Sequence, residues 1–313
     1  MAAIITEKFR LHNAKQFKKS ASSDGTNEMY MFIGRPLSWA DDNSPPTPVD
    51  SLNDEFDAYA NMTALKEVQN TDVSHAIIRR DWTSGTVYDE YRHNYTSSNT
   101  ANSGASTLWA STFYVVTSDY NVYKVISNNN GANSTVMPSG TSTNILTTGD
   151  GYKWKYMYSL SASQQVNFLS TDFMAVATNS TVSSAAVDGA IDVVKIKTAG
   201  SGGTNGTHTG IAIRGDGSNG QVSVTVAGGV VTAVTVTNAG TGYTFGTISN
   251  AQIVAAGATS LSGAELDVII PPKGGHGKNA IEELGGFYVM MNTSLEGTES
   301  SNTSDFTVSN DFR

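Results

Sequence analysis

The sequence has no cysteine. Disulfide staples and thiolate metal sites are therefore excluded. Its five histidines, His12, His75, His93, His208 and His276, are far apart, and no pair has the spacing of a helical metal site. A zinc site assembled from distant segments is the disfavoured reading. Long apolar runs are also missing, and none approaches the length of a membrane span. The opening residues, "MAAIITEKFRLHNAKQF", lack the apolar core and small-residue cleavage site of a secretory signal. We therefore expect a soluble chain made in the cytoplasm. Positive charge is scarce as well: 19 Lys and Arg stand against 28 Asp and Glu, a net charge of −9. Affinity for phosphate comes from clustered Lys and Arg. The one notable cluster is Lys15, Lys18 and Lys19. Nucleic acid and acidic membrane surfaces are not expected partners.

Catalytic signatures are absent too. There is no serine nucleophile elbow, HExxH pair, Rossmann glycine pattern or kinase set. Asn-x-Ser/Thr triplets at Asn61, Asn94, Asn133, Asn179, Asn205, Asn292 and Asn302 are chance products of an Asn/Ser/Thr-rich chain without a secretory signal. What the chain does have is 30 glycines among 313 residues and only 15% charged residues. That composition suits many short strands joined by polar turns.

Along the chain, residues 1–10 read as a strand and "MYMFIG" (29–34) as a second. Prolines 45, 46 and 48 mark a stiff, irregular connection. Ser51 with Asp54 three residues on resembles a capping box, and Leu52, Phe56, Tyr59 and Thr63 recur at helical steps. The pattern predicts a helix over 52–68. "SHAIIRRDW" (74–82) is a strand ending on two arginines, an aspartate and a tryptophan. "TLWASTFYVVTS" and "YNVYKVIS" form a hairpin around Asp119–Asn121. A polar loop over 127–148 leads into "GDGYKWKYMYSL" (149–160). Tyr152, Trp154, Tyr156, Tyr158 and Leu160 alternate there with Lys153, Lys155, Met157 and Ser159. "STDFMAVAT" and "FYVMM" are further strands. The closing "SDFTVSNDFR" looks extended.

From about residue 186 the texture changes to Gly, Thr and Val. "VVKIKTAGSGGTNGT" (193–207) aligns with "AVTVTNAGTGYTFGT" (233–247) at an offset of 40, with seven of fifteen pairs identical. Each copy is a valine-type strand running into an Ala-Gly-x-Gly turn. Between them Val222, Val224 and Val226 alternate away from a Gly228–Gly229 hairpin turn. Residues 186–270 therefore read as a small β module inside a larger domain.

Candidate chemistry is thin. The carboxylate groups Asp41–Asp42, Asp54–Glu55–Asp57 and Glu282–Glu283 have the composition of a glycosidase pair. Asp41 and Asp42 fall in a polar loop, Asp54 and Glu55 suit a helix N-terminus, and Glu282 and Glu283 have no aromatic subsite beside them. "RGDGSNG" (214–220) lacks the Lys-Ser/Thr of a phosphate loop, and Asp216 is its lone carboxylate, so a tight turn is preferred over a calcium loop. "GGHG" (274–277) is read as a flexible loop rather than a metal or anion site at His276. In "RRDW", Arg79 and Asp81 share one side of the strand end. They are expected to form a buried pair that fixes a fold or an interface, covered by Trp82.

Four motifs, "MFIGRPLSW" (31–39), "SPPTPVDS" (44–51), "AIIRRDW" (76–82) and "GDGYKWKYMYSL", stand in order. Together they resemble a baseplate wedge protein of T-even-like contractile-tailed bacteriophages, the eighth of that series. The likeness covers residues 1–180 and is weaker around 281–313. It implies a mainly-β layered sandwich with one or two helices on excursions. It implies a homodimer contacting other baseplate wedge proteins in the virion, with no enzyme activity, no cofactor and no small-molecule substrate. The matched positions Gly34, Arg35, Trp39, Pro46, Pro48, Asp50, Arg79, Arg80, Asp81, Trp82, Gly149, Asp150, Gly151, Tyr152 and Trp154 are then fold- and interface-determining, with no catalytic role.

The expected layout is a sandwich core over 1–185, the inserted Gly/Val module over 186–270, and a return to the core over 271–313. The family would continue past the last residues. Either the chain is incomplete there or the final strand is lost. The 186–270 module is unlike the family's familiar member. The competing reading is a carbohydrate-binding tail or adhesin module, prompted by the aromatic ladder and the Gly/Thr-rich module. In the preferred reading the ladder is core and the lysine side is an outer or inter-subunit face.

Overall fold

The computed structural model describes residues 6–21, 29–34, 39–41, 43–47 and 49–293. Among them are sixteen strands and six α-helices, all but two of the helices shorter than nine residues. Pairing between the strands is predominantly antiparallel. The mainly-β expectation is borne out. The chain divides into two compact units. One comprises Met1–Ala76, Ala162–Leu169 and Phe287–Arg313, and the other comprises Ile77–Ser161 and Ser170–Gly286.

The first unit corrects two expectations. Where a strand was expected over 1–10, a helix spans Glu7–Ser20, and residues 1–5 lie outside the described residues. Its signals are local. The Thr6 hydroxyl accepts from the Phe9 amide at 3.3 Å, Glu7 stands in the first turn, and Lys18 and Lys19 stand in the last. These charges match the helix dipole. Leu11 and Ala14, three residues apart, are its buried positions.

The helix expected over 52–68 covers only Leu52–Ala60. Ser51 caps it as expected, accepting from the Asp54 amide at 3.2 Å. Asn61 ends it, its side chain donating to the Asp57 carbonyl at 2.8 Å. Met62–Glu67 then runs as a strand antiparallel to Tyr30–Gly34, with Phe32 opposite Leu65. Its burial alternates residue by residue. Pairing with a strand 30 residues earlier outweighed the helical step to Thr63. The strand Tyr288–Met291 pairs antiparallel with Val73–Ala76. A helix over Ala162–Phe168, not anticipated from sequence, belongs to the same unit. The closing segment "SDFTVSNDFR" lies outside the described residues.

In the second unit a four-stranded sheet runs in the order Tyr114–Val116, Asn121–Ser127, Lys153–Ser159, Leu146–Thr147. The hairpin around Asp119–Asn121 is present, with Val116 opposite Val122. The Gly/Val-rich part also forms as its pattern suggests. Gln221–Ala227 and Val230–Asn238 pair antiparallel around Gly228 and Gly229. Both glycines have positive φ, 60° and 78°, the backbone of a two-residue hairpin turn matched to strand twist. The internal repeat carries one conformation twice. Gly200 and Gly202 have φ of 68° and 76°, and Gly240 and Gly242 have 63° and 76°. A core of aliphatic residues including Ile191, Ile211, Val222, Val224 and Ile253 is shared by these strands.

Candidate functional site

Two of the sequence motifs meet in the second unit. The Trp82 indole N–H donates to the Ser134 hydroxyl at 3.0 Å, and that hydroxyl donates to Asp150 at 3.3 Å. Asp150 thus joins "RRDW" to "GDGYKW". Its carboxylate also accepts from the amides of Thr135 at 2.8 Å, Val136 at 3.0 Å and Tyr152 at 3.3 Å, and from the Thr148 hydroxyl at 2.5 Å. Burial pushes its pKa up, but these donors outweigh burial and hold it below the usual carboxylate range. The turn itself needs Gly151, whose φ is 84°. Next along the strand, the Tyr152 and Trp154 rings stack 5.3 Å apart. The Tyr152 hydroxyl donates to the Ala132 carbonyl at 2.5 Å, and the Trp154 indole N–H to the Thr148 hydroxyl at 3.1 Å.

Tyr152, Trp154, Tyr156, Tyr158 and Leu160 are all buried, as expected of core. They offer no open platform on which a sugar ring would stack. The expectation for the other side fails in part, because Lys155 and Met157 are buried as well. The strand lies inside the unit with both faces covered. The pairing of Arg79 with Asp81 is present at 3.0 Å, but Asp81 is 58% exposed and the pair is not buried. The Trp82 indole is hydrogen-bonded to Ser134. Arg79 also donates to the Ser170 carbonyl at 3.0 Å. Arg80 donates to the Ser111 carbonyl and lies 4.7 Å over the Tyr114 ring.

A buried charge cluster on the far side of this sheet was not anticipated. Lys124 has no exposed surface and is ion-paired with Glu283. Glu283 also accepts from the amides of Gly277 at 2.9 Å and Asn279 at 3.1 Å. The "GGHG" loop, expected to be flexible, is held there. Gly275, His276 and Gly277 are buried, and His276 packs edge-on to Tyr91 at 4.8 Å. Burial, reinforced by the charges of Lys124 and Lys155, holds the His276 pKa well below its ordinary value. Its Nδ1 finds no hydrogen-bond partner among the described residues. Burial lowers the pKa of Lys124 and Lys155 and raises that of Asp192, the charge that faces them. The sequence signal was Lys124 itself, which shares a strand face with Val122 and Ile126 in "NVYKVIS".

Of the remaining acidic candidates, Asp216 does structural work. Asp216 accepts from the amides of Thr244 at 2.9 Å and Phe245 at 3.2 Å, and from the Thr244 hydroxyl. The "RGDGSNG" glycines close around the buried ring of Tyr243; a Cβ at Gly217 would lie 2.4 Å from it. This is the tight turn preferred on sequence grounds. The 88–95 segment ties the Gly/Val-rich part to the sheet. Glu90 pairs with Arg92 at 2.8 Å and with Lys195 at 3.0 Å. Among the described residues no His/Asp/Glu cluster could hold a metal ion, and no helix is long and apolar enough to cross a membrane.

In the first unit, Gly34 sits where the pairing of the two strands shifts register, and a Cβ there would lie 2.4 Å from the Asn61 carbonyl oxygen. Trp39 is half-buried, and Arg35 lies outside the described residues. This unit also carries an exposed apolar face. Phe32 and Leu65, opposite each other, are 41% and 52% exposed, and Tyr59 stacks on Phe32 at 6.4 Å. Leu52, Phe56 and Tyr59 are all more than 60% exposed, so the helix Leu52–Ala60 buries no residue of its own. The helical period found in the sequence therefore marks a surface rather than a core face.

Residues 3–131 match a protein-family model described as Phage-Gp8: Bacteriophage T4, Gp8. The resemblance drawn from the ordered motifs is thus shown over those residues. Three of the four motifs fall inside the match, and "GDGYKWKYMYSL" lies beyond it. The family is one of baseplate structural proteins. No curated protein matches the chain.

Proposed function

We propose, from the match of residues 3–131 to a family of phage baseplate structural proteins, that this chain is a wedge subunit of a contractile-tail baseplate. In this reading it acts in virion assembly through protein contacts alone, without catalysis or cofactor. It is assembled in the host cytoplasm and takes its place in the virion tail with other wedge proteins. The family match carries the proposal. The exposed face of Phe32, Phe56, Tyr59 and Leu65 supports it, since a contiguous apolar surface of this kind is costly to leave wet. The homodimer reading puts that face in contact with a second copy. The motif residues Gly34, Arg35, Trp39, Arg79 to Trp82, Gly149 to Tyr152 and Trp154 would act by holding the fold that presents such faces.

Loss of the gene product should block baseplate assembly in infected cells, seen by electron microscopy of lysates. Tails that assemble normally in its absence would overturn the proposal. Light scattering should give twice the chain mass, and Phe56→Ser with Tyr59→Ser should return it to the monomer.

A further inference from the structure

Within the first unit, the helix Glu7–Ser20 and the strand Tyr288–Met291 border an open groove of about 590 Å³. The helix contributes Arg10, Asn13 and Phe17, spaced three and four residues apart on one face. The other wall is Phe287, Val289 and Met291. The Arg10 guanidinium lies 4.1 Å over the Phe287 ring and 5.6 Å from the centre of Tyr288. Stacking occupies the flat face of a guanidinium and leaves its N–H edges outward. Among the described residues no carboxylate pairs with Arg10. Phe17 is 39% exposed and Met291 42%.

We propose that this groove receives an acidic peptide segment of a partner protein. An aspartate or glutamate of the segment would meet the Arg10 fork, and an adjacent apolar side chain would lie against Phe17 and Met291. The argument is charge complementarity. Among the described residues Arg10 is the one cation lining the groove, its planar edge matches a carboxylate, and Asn13 adds an amide beside it. A polyanion fits less well, because it draws its affinity from several cations along a track. At 100° per residue, Lys8, Lys15 and Lys19 fall on the opposite side of this helix, and Lys18 falls on the flank beside Ala14 without lining the groove. Only the origin of the segment, another baseplate protein, rests on the proposed function; the groove's chemistry does not.

The test uses the full chain and a capped, fluorescein-labelled peptide, Gly-Ser-Asp-Phe-Ser-Gly, followed by fluorescence anisotropy. Saturable binding is expected. It should weaken about tenfold or more when asparagine replaces the peptide's aspartate, and equally in Arg10→Gln, the loss of one charge-assisted contact. Phe17→Ser should weaken it independently, with circular dichroism unchanged in both variants. Three results would overturn the proposal: no saturable binding, equal affinity for the two peptides, or undiminished binding by Arg10→Gln. Stronger Arg10-dependent capture of a single-stranded oligonucleotide or of phosphatidylserine vesicles would overturn it in favour of a polyanion. Binding that emerges only after removal of residues 294–313 would reassign the groove to the chain itself. Peptide binding by a chain absent from the baseplate would leave the groove's chemistry intact and remove only the assigned source of the partner.

Discussion

Trp154 and Lys124 sit on neighbouring strands of one sheet, and neither has exposed surface. They show how unlike two buried residues are in cost. Trp154 fills space against Tyr152 and Tyr88. Trp154→Ala should lower unfolding stability by about 3–5 kcal/mol, read from chemical denaturation. An unchanged midpoint would argue against its core role. Lys124 is tolerated only because Glu283 meets it. Glu283→Gln strands the ammonium and should cost about 3–5 kcal/mol. The double variant Lys124→Met, Glu283→Gln should recover most of that, since the stranded ammonium is gone and the glutamine oxygen still accepts from the Gly277 and Asn279 amides. The exposed pair Lys197–Glu265, at 2.9 Å, is the control: Glu265→Gln should leave the melting temperature unmoved. The aromatics' burial was legible from alternation and composition. The partner of Lys124 was not, because it lies 159 residues away and no local pattern points to it.

At the scale of elements, what was legible followed from backbone requirements set by short stretches. Gly228–Gly229 announced a hairpin turn, and Ser51 with Asp54 announced a helix start. The repeat of Ala-Gly-x-Gly announced two turns of the same conformation. Two of the chain's glycines, both with positive φ, separate strain from crowding. Gly210 has φ of 72° and open space around it, whereas a Cβ at Gly240, with φ of 63°, would lie 2.4 Å from the Ser218 carbonyl oxygen. Gly210→Ala should cost about 1 kcal/mol, the left-handed penalty alone. Gly240→Ala should cost clearly more in the same denaturation assay, because backbone must also move. Equal effects would mean that the turn relaxes freely. Element ends were less legible. The helix from Leu52 and the strand from Met62 follow each other with one residue between them, and periodicity over so short a span fits both.

For the molecule as a whole, the buried cluster predicts a pH dependence. Burial depresses the His276 pKa in the fold, so the folded state leaves the ring neutral while the unfolded chain takes up a proton below about pH 6.5. The unfolded state then binds more protons, and stability is lost as pH falls through that range. Asp192 works the other way: its raised pKa relieves a penalty as pH falls. Comparing variants isolates the histidine. The melting temperature of the wild type should drop between pH 7 and 5, and His276→Gln should flatten that slope. An identical slope in both would remove His276 as the cause.

By itself the sequence determined the class of molecule. No cysteine, few cations, no catalytic signature and a Gly/Thr/Val texture left a mainly-β chain. Four motifs in order pointed to a structural family that residues 3–131 then matched. These are properties of composition and of local backbone demand, and they survive without knowing what touches what. Only the tertiary structure decided which apolar residues are covered. The alternation in "GDGYKWKYMYSL" and the helical period of Leu52, Phe56 and Tyr59 look equally like core in sequence, yet the first is buried and the second is exposed. Burial depends on what the rest of the chain brings to a face. In "GDGYKWKYMYSL" residues distant in sequence, Tyr88 and Val182 among them, pack on the aromatics, and on the helix from Leu52 the described residues leave the apolar face open.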